Sequence, residues 1–357
     1  MSMKTFADSH VHIRFKQLDD IRRMLDDLST TGLTDVCLLS LPYLGAVQNL
    51  AALYWKTHYD KMNIRAFGGL HMTDRYAKIP YEILVEHLLE LGCDGIKIMN
   101  SPDAWRFRGY GLNDPSFDKM FSLLEERGVP LNIHVTDPET FWDEGRPYHD
   151  PSFPTTQLLY QDAFELLNRH PKLRVVFAHF FFLSNQPDEA VRVMETYPNV
   201  RFDLTPGVEM YYNFDNNLEF WHDFFTKYSD RILFGTDCNP PKTFNREIVK
   251  LVYRKLNEHD LFTQNCYGMD FVVRGLGLSD EVIERICGLN YLKLVGEKKP
   301  VNQDKFYAGC ERILYDIRAN PVDEMYIAGG AFIPVLLKDP QQKISTDFCE
   351  KVLVERI

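Results

Sequence analysis

The chain has 357 residues, of which 45% are hydrophobic, and this is enough to bury the core of one large α/β domain or two smaller ones. Its 40 lysines and arginines against 51 aspartates and glutamates give a net charge of −11, which argues against general binding to nucleic acid or anionic lipid. The sequence has no run of about 18 apolar residues and no apolar signal segment at its N-terminus, so we expect a soluble, cytoplasmic protein with no membrane partner.

Eight segments rich in β-branched and aromatic residues alternate with segments in which apolar residues recur every three or four positions. The first pattern predicts β-strands, and the second predicts amphipathic α-helices. Regular alternation of strand and helix implies parallel strands joined by right-handed crossovers. The predicted strands are 5–13, 34–41, 64–70, 95–100, 131–136, 174–180, 200–206 and 231–237.

Eight strand–helix units predict a closed (β/α)8 TIM barrel. An open, doubly wound sheet is the alternative, but the first strand is not followed by the glycine-rich phosphate loop of nucleotide-binding sheets. We assign the barrel to residues 1–296 and a C-terminal extension of unknown role to residues 297–357. The extension either covers the bottom of the barrel or builds a dimer contact, and the sequence does not choose between the two.

Five polar side chains stand near the ends of predicted strands. His10 and His12 lie at the end of the first strand and on one face of it, because side chains alternate along a strand. His134, His179 and Asp237 lie near the ends of the fifth, sixth and eighth strands. The carboxyl ends of all strands meet at one mouth of a parallel barrel, and imidazole and carboxylate are the ligands that zinc and similar ions take. The sequence therefore predicts a divalent metal site at this mouth.

Four segments carry a resemblance to a known family. DSHVHI, NIHV, FAHF and ILFGTDCNP resemble, in order and spacing, the amidohydrolase superfamily. The closest resemblance is to the amidohydrolase-related branch, which includes aminocarboxymuconate semialdehyde decarboxylase, resorcylate decarboxylases and lactone hydrolases. The segment IERICGLNYLKLVG is similar to the closing helix of that branch. The resemblance covers residues 5 to 296 and is specific for the superfamily but weak for the substrate.

The resemblance implies a role for each residue at the mouth. The residues that would hold the metal are His10, His12, His134 and Asp237. His179 would be the catalytic acid or base, or a further ligand as in some relatives, and Asp237 would also accept a proton. A bound divalent ion lowers the pKa of its water towards neutrality, so that a nearby imidazole or carboxylate can take up the proton, which agrees with these roles.

Lys97 decides how many ions the resemblance implies. Some members of the superfamily carry a carboxylated lysine on the fourth strand that bridges two metals, and Lys97 stands on that strand. The GxKx pattern is common in the present branch without that role, so we expect one ion, most simply Zn²⁺, and keep a second ion as the alternative. Lys97 would then be a buried cation that attracts a substrate carboxylate or orients Asp237.

Substrate recognition is expected from the loops after the strands, because packed side chains fill the interior of such a barrel. The loops after the fourth and fifth strands are rich in arginine and aromatic residues, which suit a flat or carboxylated small molecule. An ordinary lid or a subunit contact is the alternative, so a homo-oligomer stays open. The candidate substrate-binding residues are Lys97, His71, Arg106, Arg108, Trp142 and Arg146.

Three functions fit this set of residues. Hydrolysis of a small ester, lactone or amide by a metal-activated water is favoured, because hydrolases dominate the superfamily that the chain resembles. Decarboxylation of an aromatic or unsaturated acid uses the same ligands and is the first alternative. A barrel that has lost catalysis and serves as a binding or scaffold protein is the second, but the complete set of ligands argues against it.

Overall fold

Eight parallel strands pair in chain order, each with the next along the chain. The structure is a computed structural model that describes residues 4–14, 19–41, 47–70, 79–207, 209–240, 244–319, 324–328, 331–337 and 340–356. The strands are β1 (Ala7–His12), β2 (Asp35–Leu39), β3 (Asn63–Gly69), β4 (Gly95–Met99), β5 (Leu131–His134), β6 (Val175–Phe177), β7 (Val200–Asp203) and β8 (Ile232–Leu233). All eight predicted strands are therefore confirmed, although most are shorter than predicted.

The segment that follows β8 closes the barrel against β1. The backbone N–H of Asp237 donates to the carbonyl of His10 at 2.9 Å, and the N–H of His12 donates to the carbonyl of Cys238 at 2.8 Å. Val11 and Cys238 form a parallel bridge at the same place. The predicted TIM barrel is confirmed, and its closure brings the ends of the first and last strands together.

In the described part of residues 1–296, twelve α-helices accompany the barrel strands or follow β8. In α1 the apolar residues Ile21, Met24, Leu25 and Leu28 recur at helical spacing and are all buried. The helices are α1 (Asp19–Ser29), α2 (Val47–His58), α3 (Tyr81–Leu91), α4 (Pro102–Arg108), α5 (Asp118–Glu126), α6 (Thr156–Arg169), α7 (Pro187–Thr196), α8 (Met210–Asp215), α9 (Leu218–Lys227), α10 (Asn245–Asn257), α11 (Asp280–Glu284) and α12 (Asn290–Val295). In the part of the chain that the structure describes, no helix has the length and apolarity to cross a bilayer.

A hairpin that the sequence analysis did not predict lies between α10 and α11. It consists of β9 (Leu261–Cys266) and β10 (Met269–Arg274), which pair in antiparallel fashion. Tyr267 and Gly268 form its two-residue turn, and both have positive φ, as tight hairpin turns with a right-handed strand twist require. Exposed and buried residues alternate along both strands, so the hairpin packs one face on the barrel.

The C-terminal extension is present as a helical layer with a second hairpin. It contains α13 (Gln303–Ala319), β11 (Glu324–Ala328), β12 (Ala331–Leu337) and α14 (Pro340–Glu355). Before α13, the backbone N–H of Lys299 donates to the Asp94 carboxylate beside β4 at 2.9 Å. The helices α13 and α14 then pack on each other and on α2, and α13 also contacts α3. The extension therefore covers the outer side of the barrel at α2 and α3.

A buried ion pair joins α2 to the amino end of β4. Lys56 Nζ lies 2.6 Å from Asp94 Oδ2, and both side chains are fully buried. The same carboxylate oxygen accepts the backbone N–H of Ala66 at 2.9 Å. Arg65 Nε also lies near this carboxylate, but at 3.9 Å from Asp94 Oδ1 it is beyond hydrogen-bond distance. A buried carboxylate that loses its hydrogen-bonded cation is costly.

We expect Lys56→Met to lower the free energy of unfolding by about 3–5 kcal/mol, since it leaves the buried Asp94 carboxylate without the cation that is hydrogen-bonded to it. The matched control is Lys61→Met, which removes an equally short ion pair between Lys61 and Asp26. The side chain of Lys61 is 58% exposed and that of Asp26 is 39% exposed. An exposed pair contributes less than about 1 kcal/mol, so this control should unfold almost as the parent does. Urea titration followed by circular dichroism measures both, and equal losses would contradict the assignment.

Candidate metal centre

Three side chains from the two ends of the barrel sheet point their donor atoms at one another. His10 Nε2 lies 3.1 Å from His12 Nε2. The nearer carboxylate oxygen of Asp237 lies 3.2 Å from His12 Nε2 and 4.0 Å from His10 Nε2. Because one ligand atom from each residue lies within 4.8 Å of the others, the three residues form a group that could share a single ion.

The Nδ1 atom of each imidazole contacts a hydrogen-bond acceptor on the side of the ring that faces away from the group of three. His10 Nδ1 lies 2.8 Å from Asp203 Oδ2, and His12 Nδ1 lies 3.2 Å from the carbonyl oxygen of Leu39. Both partners are acceptors, so each ring donates through Nδ1 and keeps the lone pair on Nε2, which faces the group. A carboxylate or carbonyl behind a histidine is the arrangement that orients metal ligands in proteins.

Asp203 is the residue that the sequence analysis missed. Its fully buried carboxylate accepts the backbone N–H groups of His179 at 2.9 Å and Thr205 at 3.2 Å, besides the His10 ring. Asn132 Nδ2 donates to it at 3.2 Å, and Lys97 Nζ donates to Asn132 Oδ1 at 2.6 Å. The signal in the sequence was an acidic residue at the end of β7, but a single acid in a strand does not reveal its partners.

Burial sets the ionisation of these groups. Burial lowers the pKa of His10, lowers that of His12 to about 3 and lowers that of His179 well below its usual value, so the imidazoles are neutral, the form that binds metal. Burial by itself raises the pKa of Asp203, but the neighbouring His10 and His179 and a hydrogen bond from Thr205 together outweigh burial and hold the pKa well below the usual range. Burial also lowers the pKa of Lys97 to about 8.

His179 lies in the turn after β6 and not within the strand, where the sequence analysis placed it. The strand β6 ends at Phe177, and His179 follows in a turn with a left-handed backbone, at φ 55°. Its ring centroid lies 5.7 Å from that of His10 and 4.9 Å from that of His134. Its Nδ1 is buried and has no hydrogen-bond partner among the described residues.

His134 is the fifth predicted residue at the mouth, and it stands apart from the group of three. Its Nε2 lies 3.3 Å from Asp137 Oδ1. The hydroxyl of Tyr148 donates to the other oxygen of that carboxylate at 2.8 Å and lies 3.3 Å from Asp103. His134 is therefore tied to the loop after β5, and its role as a metal ligand stays a prediction.

Two of the predicted substrate-binding residues are buried inside the protein. Lys97 is fully buried and donates to Asn132 beneath the group of three. Arg108 closes α4, where its guanidinium donates to the side chain of Asn100 and, through Nε, to the carbonyl of Tyr110 at 3.3 Å. Both cations are thus engaged with neutral oxygens of the protein, and a role in substrate binding stays a prediction for each.

Three other predicted residues lie on α4 and on the loop after β5. The guanidinium of Arg106 stacks over the ring of Phe153, 4.3 Å from its centroid. Trp142 Nε1 donates to the carbonyl of Pro154 at 3.0 Å, and Arg146 is exposed on the same loop. The remaining candidate, His71, lies outside the described residues. This loop therefore packs against itself and on α4 at the mouth side of the barrel.

Comparison with known proteins supports the architecture. A family model described as amidohydrolase matches residues 46–296, well over half of the chain. A search of curated protein sequences gives no significant match.

Solved structures with the same fold have low sequence identity. An uncharacterized TIM-barrel protein from Bordetella bronchiseptica is 14% identical, with 82% of this chain and 100% of that chain covered and a TM-score of 0.54. The 2,6-dihydroxybenzoate decarboxylase from Rhizobium is 15% identical, with 82% and 99% covered and a TM-score of 0.54. A dihydroxybenzoic acid decarboxylase from Polaromonas sp. JS666, with bound manganese and the inhibitor 2-nitroresorcinol, is 15% identical, with 82% and 97% covered and a TM-score of 0.51. At this identity the likeness concerns the fold.

We expect Asp203→Asn to weaken the binding of Zn²⁺ by roughly 10- to 100-fold, because the amide can present a donor to His10 Nδ1 and so move the ring proton to Nε2. The matched control is Asp162→Asn, which changes another buried carboxylate that accepts a ring N–H, that of Trp105 at 2.9 Å. Competition with a chromogenic chelator measures both dissociation constants. Equal affinity in the two variants would show that Asp203 does not hold the ligand.

Proposed function

Because the chain belongs to the amidohydrolase family, we propose that it is a metal-dependent enzyme whose ion is held by His10, His12 and Asp237. The observation that carries the proposal is the convergence of three donor atoms within 4.8 Å of one another. The neutral state of the two imidazoles and the acceptors behind them fit a divalent cation. We propose His134 as a further ligand on the strength of its place at the end of β5.

One ion per chain, most simply Zn²⁺, is the proposed cofactor. A divalent ion at this mouth would act as a Lewis acid, which polarises a carbonyl group and lowers the pKa of a bound water towards neutrality. Lys97 Nζ donates to Asn132, which supports a structural role under the group and not the bridging of two ions. The manganese in the Polaromonas relative makes Mn²⁺ the second ion to test.

The proposed reaction is hydrolysis of a small ester, lactone or amide. His179 is the proposed base, since its ring centroid lies 5.7 Å from that of His10 and its buried Nδ1 has no hydrogen-bond partner among the described residues. Asp237 is the second proton acceptor, because it is the only carboxylate in the group of three described above. Asp203 keeps His10 and His179 in place, because it accepts hydrogen bonds from the ring of His10 and from the backbone N–H of His179.

Decarboxylation of an aromatic or unsaturated acid is the second candidate. Two of the solved structures named above are dihydroxybenzoate decarboxylases, and the ring centroids of His134, His179 and Phe182 lie within 5.5 Å of one another. In this case the same residues would have to deliver a proton to carbon as CO₂ leaves.

The deciding experiment incubates the full chain, loaded with Zn²⁺ or Mn²⁺, with ester, lactone, amide and aromatic acid panels. Hydrolysis products support the first candidate, CO₂ supports the second, and neither metal binding nor turnover would leave a binding or scaffold protein.

Replacing His10 and His12 together with Ala should abolish metal binding and leave the fold intact, because the stability of the barrel rests on its apolar layers. Elemental analysis after dialysis against Zn²⁺ measures the metal content, and a thermal melt of the metal-free protein measures the fold. His58→Ala is the control, since that histidine is exposed on α2. Stoichiometric zinc in the double variant would overturn the ligand assignment.

His179→Asn should retain the metal and lower kcat by roughly 10²- to 10⁴-fold on whichever compound the panels identify, because the base is lost while the group of three is kept. The matched control is His170→Asn, which changes a buried histidine near Asp118 and Glu125 on the outer layer. That variant should keep its kcat. Loss of metal from the His179 variant would instead identify this histidine as a ligand.

A further inference from the structure

Four consecutive residues after β6 have a left-handed backbone. The φ angles of His179, Phe180, Phe181 and Phe182 are 55°, 57°, 56° and 54°. Only glycine adopts this conformation without a steric penalty, and for a bulky aromatic residue it is a genuine outlier. Strained segments of this kind persist only where the surrounding structure enforces them, and they occur preferentially at functional sites.

Two of the phenylalanines anchor the turn in the core. The ring of Phe180 is buried and stacks parallel to that of Phe225, at 5.7 Å between centroids. The ring of Phe181 is buried and stacks on that of Phe177 at 3.8 Å. The hydroxyl of Tyr160 donates to the carbonyl of Phe181 at 3.0 Å, so the backbone of the turn is held as well. These contacts explain why the turn keeps its shape.

The third phenylalanine has a different environment. Phe182 is only partly buried, and its ring centroid lies 5.1 Å from that of His179 and 5.5 Å from that of His134. Gly207, in the loop after β7, lies beside the ring edge. Apart from its neighbours in the chain, a side-chain carbon at Gly207 would meet, among the described residues, Phe182 Cε1 at 3.8 Å and no other atom within 4 Å. The described part of the chain therefore leaves room at this edge of the Phe182 ring.

We infer that Phe182 is a specificity-determining residue of the mouth, and that the left-handed turn exists to present its ring to the substrate. This inference rests on the proposed function, because it assigns a wall to the same site. A ring held at the edge of the mouth favours a planar, conjugated acid or ester over a puckered one of equal size, since a flat molecule can lie against it in an offset or edge-to-face arrangement. The polar group of the substrate then points towards His10, His12 and Asp237.

The test compares benzoate with cyclohexanecarboxylate, two acids of similar size that differ in planarity. Calorimetric titration of the Zn²⁺-loaded full chain should show that benzoate binds more tightly by roughly 3- to 10-fold. Phe182→Leu should abolish this preference, since leucine keeps the apolar volume and removes the ring. Equal binding of the two acids by the parent protein, no binding of either, or an unchanged preference in the variant would overturn the inference.

Two further variants separate recognition from folding. Phe182→Gly should melt at or above the temperature of the parent, because glycine accepts the left-handed backbone, and yet it should lose the preference for benzoate. Phe181→Leu should melt at a lower temperature and keep the preference, because that ring packs only in the core. A fall in melting temperature for Phe182→Gly as large as that for Phe181→Leu would show that Phe182 is a core residue.

The zinc affinity of each variant distinguishes this inference from the proposed function. Phe182→Leu should bind Zn²⁺ as the parent does, because neither phenylalanine nor leucine offers a ligand atom to the ion and leucine keeps the apolar volume beside His134 and His179. If the parent binds no zinc, the proposed function fails. If zinc binds and the preference for benzoate does not depend on Phe182, only the inference about Phe182 fails.

Discussion

One buried carboxylate connects the parts of the barrel that form the candidate centre. Asp203 accepts hydrogen bonds from the ring of His10, from the backbone of His179 and from the side chain of Asn132. These donors belong to β1, to the turn after β6 and to β5, so a single charge in β7 orients groups from three other elements. Removal of the carboxylate would leave several buried donors without an acceptor, which is more costly than the loss of any one bond. The placement of the His10 ring and of the His179 backbone therefore depends on a residue outside the group of three.

The two ends of the barrel use buried charge differently. At the amino end, Lys56 and Asp94 form a fully buried ion pair, and the Asp94 carboxylate also accepts the backbone N–H of Lys299 in the segment leading to the C-terminal extension. At the carboxyl end, burial keeps His10 and His12 neutral, and the carboxylate of Asp237 faces them. The first arrangement pairs its charges within the protein, whereas a bound cation would bring an opposite charge to the second. Stability and proposed chemistry are thus divided between the ends, as is usual for this barrel.

The mouth also contains backbone strain that the core supports. Phe180 and Phe181 lie in the core and hold a left-handed turn, and this turn places His179 beside His10 and Phe182 beside His179. A strand that continued straight past Phe177 would have placed His179 elsewhere. The aromatic packing outside β6 is therefore part of the construction of the site, and the position of the proposed base depends on it.

The sequence by itself determined the barrel and the identity of the polar residues at its mouth. Hydrophobic periodicity is local, and eight parallel strand–helix units have one common way to close, so the strands and the nearness of His10, His12 and Asp237 could be predicted. The hairpin β9–β10 was missed, because its alternating pattern is short and follows the last barrel strand. Only the tertiary structure decided the rest. The link between Asp203 and His10 joins residues 193 positions apart, and the turn at Phe180–Phe182 lacks the glycine that usually marks positive φ, so both depend on packing between distant elements that no local pattern records.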